Sequence, residues 1–409
     1  MFRDMRGAVC MGAVMCILSG CAASAPDPPQ TTDRKQSTST STVAYIYVSS
    51  KPDPSTTSYS PSQITAYAAD NNGALTPVPG SPFNEDVGYM VVNGLYLMAA
   101  ANQQPLVNTY NIHSDGSLTF ATQTNYAQEN NKNCGAAGAL FFDHTGQTLY
   151  VQEHNIDCAN SGTASFAVQA ATGQLNYLGK TITGSEYDNN HAAFFTGNNQ
   201  FAYAAGPPGC YIYSVDGFQR ASSGSLTSFD DGAPAFLPGP PGGFRDYVPD
   251  LAAADTSNHI AITETPANPP GCAGLPVSIS TWTADPNGKL TTTSTYANMP
   301  TTAILNPYDL KMAPSGQLLA IAGKEGLQVF HFNGADPVTA YTPLLTADPI
   351  NQMFWDNNNH LYAISKSANK LHVFTITNTD YSEAAGSPYT ISSPNNMIVQ
   401  PWPLPWAAQ

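Results

Sequence analysis

The stretch 351-NQMFWDNNNHLYAISKSANKLHVFTITNTD-380 decides the fold. Its apolar run Met353-Phe354-Trp355 meets a polar turn at Asp356-Asn357-Asn358-Asn359, and Leu361-Tyr362-Ala363-Ile364 follows at once. Aromatic and aliphatic residues on either side of a tight polar turn read as a β-hairpin. A third run interleaves Leu371, Val373, Phe374 and Ile376 with His372, Thr375 and Thr377, near-alternation that sends one set of side chains into a core and the other towards water. The turn Asn378-Thr379-Asp380 then leads to a weaker fourth strand. A sheet this small leaves a face exposed and cannot stand alone. It needs copies of itself.

The copies are present. The hairpin turn recurs as Asp143-His144-Thr145-Gly146 before Leu149-Tyr150-Val151, as Thr196-Gly197-Asn198-Asn199 before Phe201, as Asp255-Thr256-Ser257-Asn258 before Ile260, and as Ala313-Pro314-Ser315-Gly316 before Leu318. A shortened form is Val92-Asn93-Gly94. The third strand returns as Ile64 to Tyr67, Val107 to Ile112, Ala164 to Val168, Tyr211 to Val215, Val277 to Trp282 and Leu327 to Phe332. Its closing turn is Asn72-Gly73, Asp115-Gly116, Thr172-Gly173, Ser223-Gly224 or Asn287-Gly288, with degenerate forms at Asn333-Gly334 and Asn378-Thr379. Gly and Asn dominate because such turns require positive φ. Seven repeats of about 51 residues fit four-stranded blades and predict an all-β, seven-bladed β-propeller of antiparallel sheets. The first repeat has no room for an innermost strand before Ala44 to Val48, while Asn396-Met397-Ile398-Val399 has no successor. Pairing the C-terminal run with the N-terminal strand would close the ring and remove open edges.

Composition agrees: 11% of residues are charged, and 32 Gly and 33 Pro suit many short strands and turns. The formal charge of −15 comes without any basic stripe, which argues against nucleic acid as a partner. Residues 1–21 read as a leader, with Arg3 and Arg6 ahead of the apolar core Ala8 to Leu18. The ending Leu18-Ser19-Gly20-Cys21 resembles a bacterial lipoprotein signal, which implies cleavage before Cys21, lipid on that thiol and a membrane anchor. Ala22 at the next position implies the outer membrane or cell surface; an ordinary secretory leader is the alternative. Residues 22–42, rich in Ser, Thr and Pro, are expected to be a disordered tether, and residues 43–409 the propeller, expected as a monomer.

Export leaves Cys134, Cys158, Cys210 and Cys272 as disulfide candidates with three possible pairings. All four fall on loops at one face of a propeller, which favours Cys134 with Cys158 and Cys210 with Cys272. A metal site is not expected, because no Cys-x-x-Cys or clustered His accompanies them. No nucleophile elbow, zinc-binding helix motif or phosphate loop occurs, and no cofactor is expected.

Counting five residues back from each hairpin turn selects Gly138, His191, Asp250, Tyr308 and Asn351, with Asn395 at the analogous place on the closing strand. His191, Asp250, Tyr308, Asn351 and Asn395 would form a polar ring at the channel mouth able to hold a small oxygen-rich ligand; the alternative is a set of solvated strand starts. Arg245 lies just upstream of Asp250. Tyr187, Tyr247 and Trp402 are candidate aromatic platforms, although Trp402 among Pro401, Pro403 and Pro405 also suits packing against the ring.

The Asn-Gly-x-Leu-Thr turns and Asp-x-x-Gly-x-x-Leu-Tyr-Val hairpins resemble the seven-bladed propeller family that includes 6-phosphogluconolactonase and muconate-lactonising relatives, over about residues 43–400. The stretch Asn190-His191-Ala192-Ala193-Phe194-Phe195 is similar to the family segment in which a histidine opens an innermost strand near the active centre. The resemblance implies a lactonase-type hydrolase with His191 as general base and Arg245 steadying the oxyanion. Gly206-Pro207-Pro208-Gly209-Cys210 stands where the family carries Asp-x-Gly-x-Asp. The residues themselves first suggest a lipid-anchored binding or scaffolding module for a small ligand, glycan or protein partner. The lactonase is the alternative.

Overall fold

In the computed structural model the opening stretch becomes one blade. Gln352–Trp355 pairs with His360–Ser365, Phe354 opposite Tyr362. That strand pairs in turn with Lys370–Ile376, and the latter with Tyr381–Glu383. Asn359 supplies the turn with φ of 66°, a left-handed conformation that Asn tolerates better than most residues. The structure describes residues 41–50, 62–85, 87–101, 104–126, 137–153, 162–182, 193–204, 215–229, 237–268 and 271–403. The leader, Cys21 and nearly all of the tether lie outside that set, and the first strand, Thr42–Ser50, opens one residue ahead of the expected boundary.

Six further sheets repeat the plan, so the described residues form seven antiparallel blades and no helix. The innermost strands of blades 2 to 7 are Met90–Val92, Ala137–Phe142, Phe194–Phe195, Asp246–Ala254, Pro307–Met312 and Gln352–Trp355. Blade 1 takes its innermost strand from the far end of the chain. Pro394–Pro401 lies antiparallel to Thr42–Ser50, with Met397 opposite Val48, Ile398 opposite Tyr47 and Val399 opposite Ile46, and every residue of it is buried. Trp402 then donates its amide to Val43 O at 2.7 Å and sets its ring edge-on to Tyr45 at 5.7 Å, so this tryptophan packs. Termini paired in this way build blade 1 from both ends of the chain and clasp the ring shut.

The two recurring motifs turn out to be halves of one lock between neighbouring blades. The tyrosine of the second strand donates its hydroxyl to the glycine carbonyl in the closing turn of the next blade: Tyr47 to Gly116 at 2.9 Å, Tyr150 to Gly224 at 2.7 Å, and Tyr203 to Gly288. Each of these tyrosines is fully buried, so its hydroxyl needs such a partner. Gly116 has φ of 80°, and a Cβ there would stand 2.3 Å from Tyr45 Cδ1. Backbone angle and close approach both demand glycine.

The third strand of blade 4 is described over Asp216–Arg220; the expected strand Tyr211 to Val215 lies, except for Val215, outside the described residues. The described strand pairs Gly217 with Tyr203 and Phe218 with Ala202, and runs directly into the turn at Gly224.

Candidate functional site

Seven innermost strands around one axis leave a channel of about 430 Å³. Every blade lines it, from Met90 and Val92 through Phe141, Phe194 and Ala252 to Phe354 and Val399. Polar groups are most numerous on blades 6 and 7, as Tyr308, Asp309, Lys311, Asn351, Gln352 and Lys366, with Asp255 and Thr256 on blade 5, His144 on blade 3 and Asn396 on blade 1. Tyr89 and Tyr308 stand at the end where the innermost strands begin, 37% and 43% exposed.

Four of the six nominated positions fall at β-bulges. In blade 3 the ladder passes from Ala137 to Ala139 and skips Gly138; in blade 6 it passes from Pro307 to Asp309 and skips Tyr308. In the closing strand it skips Asn395 between Pro394 and Asn396, and in blade 5 it skips Asp250 and Leu251 between Pro249 and Ala252. Bulges re-aim side chains and gather at sheet rims. Here they split the nominated set. Tyr308 and Asn351 line the channel, whereas Asp250 and Asn395 are buried in the wall at 3% and 7% exposure, outside the lining. His191 falls outside the described residues, as does Tyr187. Arg245 is not a lining residue: its guanidinium is exposed and its Nε donates to Asp246 at 2.6 Å. Tyr247 is buried edge-on against Phe244, at 4.7 Å, and offers no platform.

Sequence reasoning missed the residues one step beyond three of the nominated positions, which tie adjacent blades together. Asp309 Oδ2 accepts the Met353 amide of blade 7 at 2.8 Å, and Gln352 Oε1 accepts the Met397 amide of the closing strand at 2.7 Å. Asn396 Nδ2 then donates to Gly88 O at 3.1 Å, at the start of blade 2. These side chains hold the rim in one geometry, because an innermost amide facing a neighbour must find an acceptor. The available signal was a second polar residue beside each nominated one: Asp309 after Tyr308, Gln352 after Asn351, Asn396 after Asn395.

The other missed group is Glu264. It lies opposite Pro249 on the neighbouring strand, is 1% exposed, and accepts the Ser280 hydroxyl at Oε1, 2.7 Å away. Among the described residues, Glu264 Oε2 and Asp250 Oδ1 have no hydrogen-bond partner. Burial pushes the Asp250 carboxyl up to about 7. Burial likewise pushes Glu264 up to about 8, against the Ser280 hydrogen bond and helped by the nearby Asp250 charge. Burial also raises Asp309, with Lys311 opposing. At the opposite end of the channel, His144 has its basicity lowered by burial, and its Nε2 lies 3.2 Å from Phe195 O.

Cys272 takes part in a disulfide, on a short strand beside Ala267 and Asn268. Cys134, Cys158 and Cys210 lie outside the described residues. No cluster of three or more metal-ligating side chains occurs among the described residues.

No family model and no curated protein matches the sequence. The fold, in contrast, is similar to several solved structures. A periplasmic gluconolactonase from Pseudomonas aeruginosa matches with a TM-score of 0.62 at 13% identity, covering 87% of this chain and 99% of that one. A candidate 6-phosphogluconolactonase from Bacteroides uniformis matches at 0.59 and 12% identity, covering 88% and 100%. A hypothetical selenium-binding protein from Sulfolobus tokodaii matches equally well at 0.59, with 8% identity over 89% and 94%. The chain is a seven-bladed β-propeller. Its structural neighbours include 6-phosphogluconolactonase-like proteins, a likeness of fold.

Proposed function

We propose that this chain is an exported, lipid-anchored propeller of the cell envelope that binds a small oxygen-rich ligand at its channel mouth. The observation that carries the reading is the channel itself: about 430 Å³, walled by all seven blades, with two exposed tyrosines and the side chains of Asn351 and Lys366 at one end. A concave, largely apolar wall with a few polar groups is the usual make-up of a small-molecule site. The Leu18-Ser19-Gly20-Cys21 ending of the leader supports the anchor, and the periplasmic neighbour agrees with envelope placement. In this reading a Cys210–Cys272 disulfide steadies the loops on the mouth side.

Thermal-shift screening of the soluble domain against sugars, sugar acids and lactones tests the binding reading. Hits should vanish in Ala252→Trp, which puts an indole into the channel wall, while that variant still unfolds cooperatively. A screen without hits, or hits indifferent to the indole, overturns it. Labelled fatty acid should enter the full-length chain in cells and be lost in Cys21→Ala.

The second reading, a lactone hydrolase, draws on the likeness to gluconolactonases and on the local resemblance around His191. It requires turnover of a lactone that disappears in His191→Ala with the fold intact. Arg245 is assigned oxyanion stabilisation in this reading, and its exposed pairing with Asp246 makes that the weaker half.

A further inference from the structure

Lys311 projects from the innermost strand of blade 6 and lines the channel. Its ammonium stands 4.6 Å from the centre of the Phe354 ring and 4.0 Å from Asp309 Oδ1. The second distance is beyond hydrogen bonding. Asp309 is moreover committed elsewhere, since Oδ1 accepts the Leu310 amide at 3.0 Å and Oδ2 the Met353 amide at 2.8 Å. An ammonium carries three donors, and a ring face satisfies charge but accepts no conventional hydrogen bond. Lys311 therefore brings donor capacity into a confined, mostly apolar space.

The surroundings narrow what would use it. Phe354, Phe194, Met90 and Met312 line the same space and suit an apolar body. Lys366, on the adjoining blade, is the other cation among the described lining residues. A dianion such as a phosphate would draw on several cations or a guanidinium fork, and would sit beside the Asp309 carboxyl. A single carboxylate needs one ammonium. A cationic ligand would meet Lys311 head-on. The chain holds only 14 Lys and Arg against 29 Asp and Glu, so a lysine inside the channel is not a sample of an evenly basic surface.

We propose that the channel is a binding site for a monocarboxylate with an apolar or aromatic body, its carboxylate held by the Lys311 ammonium and its body against the Phe354 side of the wall. The proposal rests on the channel being a ligand site. It confines the ligand's oxygen-bearing, charged end to Lys311 and gives the remainder an apolar body, which narrows the oxygen-rich ligand of that reading.

Phenylacetate and phenylacetamide share a shape and differ in charge, and phenylphosphonate supplies the dianion. Ligand-observed NMR titration should show phenylacetate binding about tenfold more tightly than the amide, the scale of one charge-assisted hydrogen bond. Lys311→Met should remove that preference while Lys311→Arg keeps most of it, with thermal unfolding of both variants checked as a fold control. Equal binding of acid and amide overturns the proposal, as do an undiminished preference in Lys311→Met, tighter phosphonate binding, or no binding of any probe. If the amide still binds and Ala252→Trp abolishes it, the channel stands as a ligand site and only the carboxylate assignment falls.

Discussion

Blades 5 and 7 begin from the same turn and end in different states. Both carry Asp-x-x-x-His, and in both one aspartate oxygen accepts the amides two and four residues on while the other faces the histidine Nδ1, at 2.8 Å for Asp255–His259 and 2.7 Å for Asp356–His360. In blade 7 a further donor, the Tyr362 hydroxyl, also reaches Asp356 Oδ2, at 2.9 Å, and Asp356, His360 and Tyr362 are all buried. In blade 5 the equivalent of Tyr362 is Ala261, and the His259 side chain is 27% exposed. Blade 7 closes its polar ledger at the turn, whereas blade 5 keeps two carboxyl oxygens unpartnered near its other end. One motif is thus a sealed core network in one sector and a solvated cap in another. The two turns differ in exposure and in one neighbouring side chain, Tyr362 in blade 7 and Ala261 in blade 5.

The comparison can be broken most violently by removing what blade 7 leans on. Truncation before Pro394 strips blade 1 of its innermost strand and leaves the Gln352 carbonyl without the Met397 amide. The expected outcome is loss of the cooperative unfolding transition, read by calorimetry; a truncated chain melting like the parent would show that closure does not hold the ring.

The turns themselves come next. Asp356→Ala strands a buried imidazole and a buried phenol, and should cost about 3–5 kcal/mol, the range for breaking a buried charged network. Asp255→Ala should cost about 1 kcal/mol, because water can reach His259 and replace the lost bond. Urea denaturation of the pair measures both. Equal losses would mean that the Tyr362 hydroxyl and the burial are irrelevant.

The last effect belongs to blade 5 and is spread over the pH axis. Asp250 and Glu264, raised to about 7 and about 8, are favoured in their protonated forms in the fold, while an unfolded carboxyl titrates near about 4. Their contribution to stability is therefore complete below about pH 4 and is lost as pH rises towards 7 to 8. Between pH 5 and 7 each group should add a downward slope of up to about 1.4 kcal/mol per pH unit. Asp250→Asn with Glu264→Gln should flatten that part of the curve and leave its acid limb unchanged. A slope identical to the parent's would mean that the two carboxyls are ionised within the fold.

Much of this was legible in the order of residues, for identifiable reasons. Turn chemistry is local: Asp115-Gly116 and Asn287-Gly288 require positive φ at glycine whatever surrounds them, and their regular recurrence counts the blades. The closing strand could be read as well, since Ala44 to Val48 lacked a partner and Asn396 to Val399 lacked a successor. The phase of the channel wall could not. Counting back from a turn assumes an even pleat, and a bulge adds a residue exactly where the count ends, so Asp250 and Asn395 sink into the wall while Tyr308 stays in the channel. Lys311 went unnoticed because an isolated lysine in a strand looks like a solvated one.

The sequence alone determined the period, the turns and the pairing of the chain's two ends, because each depends on backbone geometry or on an apolar run needing a partner close in pattern. Only the tertiary structure decided that Tyr150 and Gly224 are one lock, that Asp309 and Gln352 bridge blades, and that Glu264 lies near Asp250 without its own counterion. Those facts arise from residues 14 to 74 positions apart being brought within hydrogen-bond or Coulomb range, and no local preference encodes such a distance.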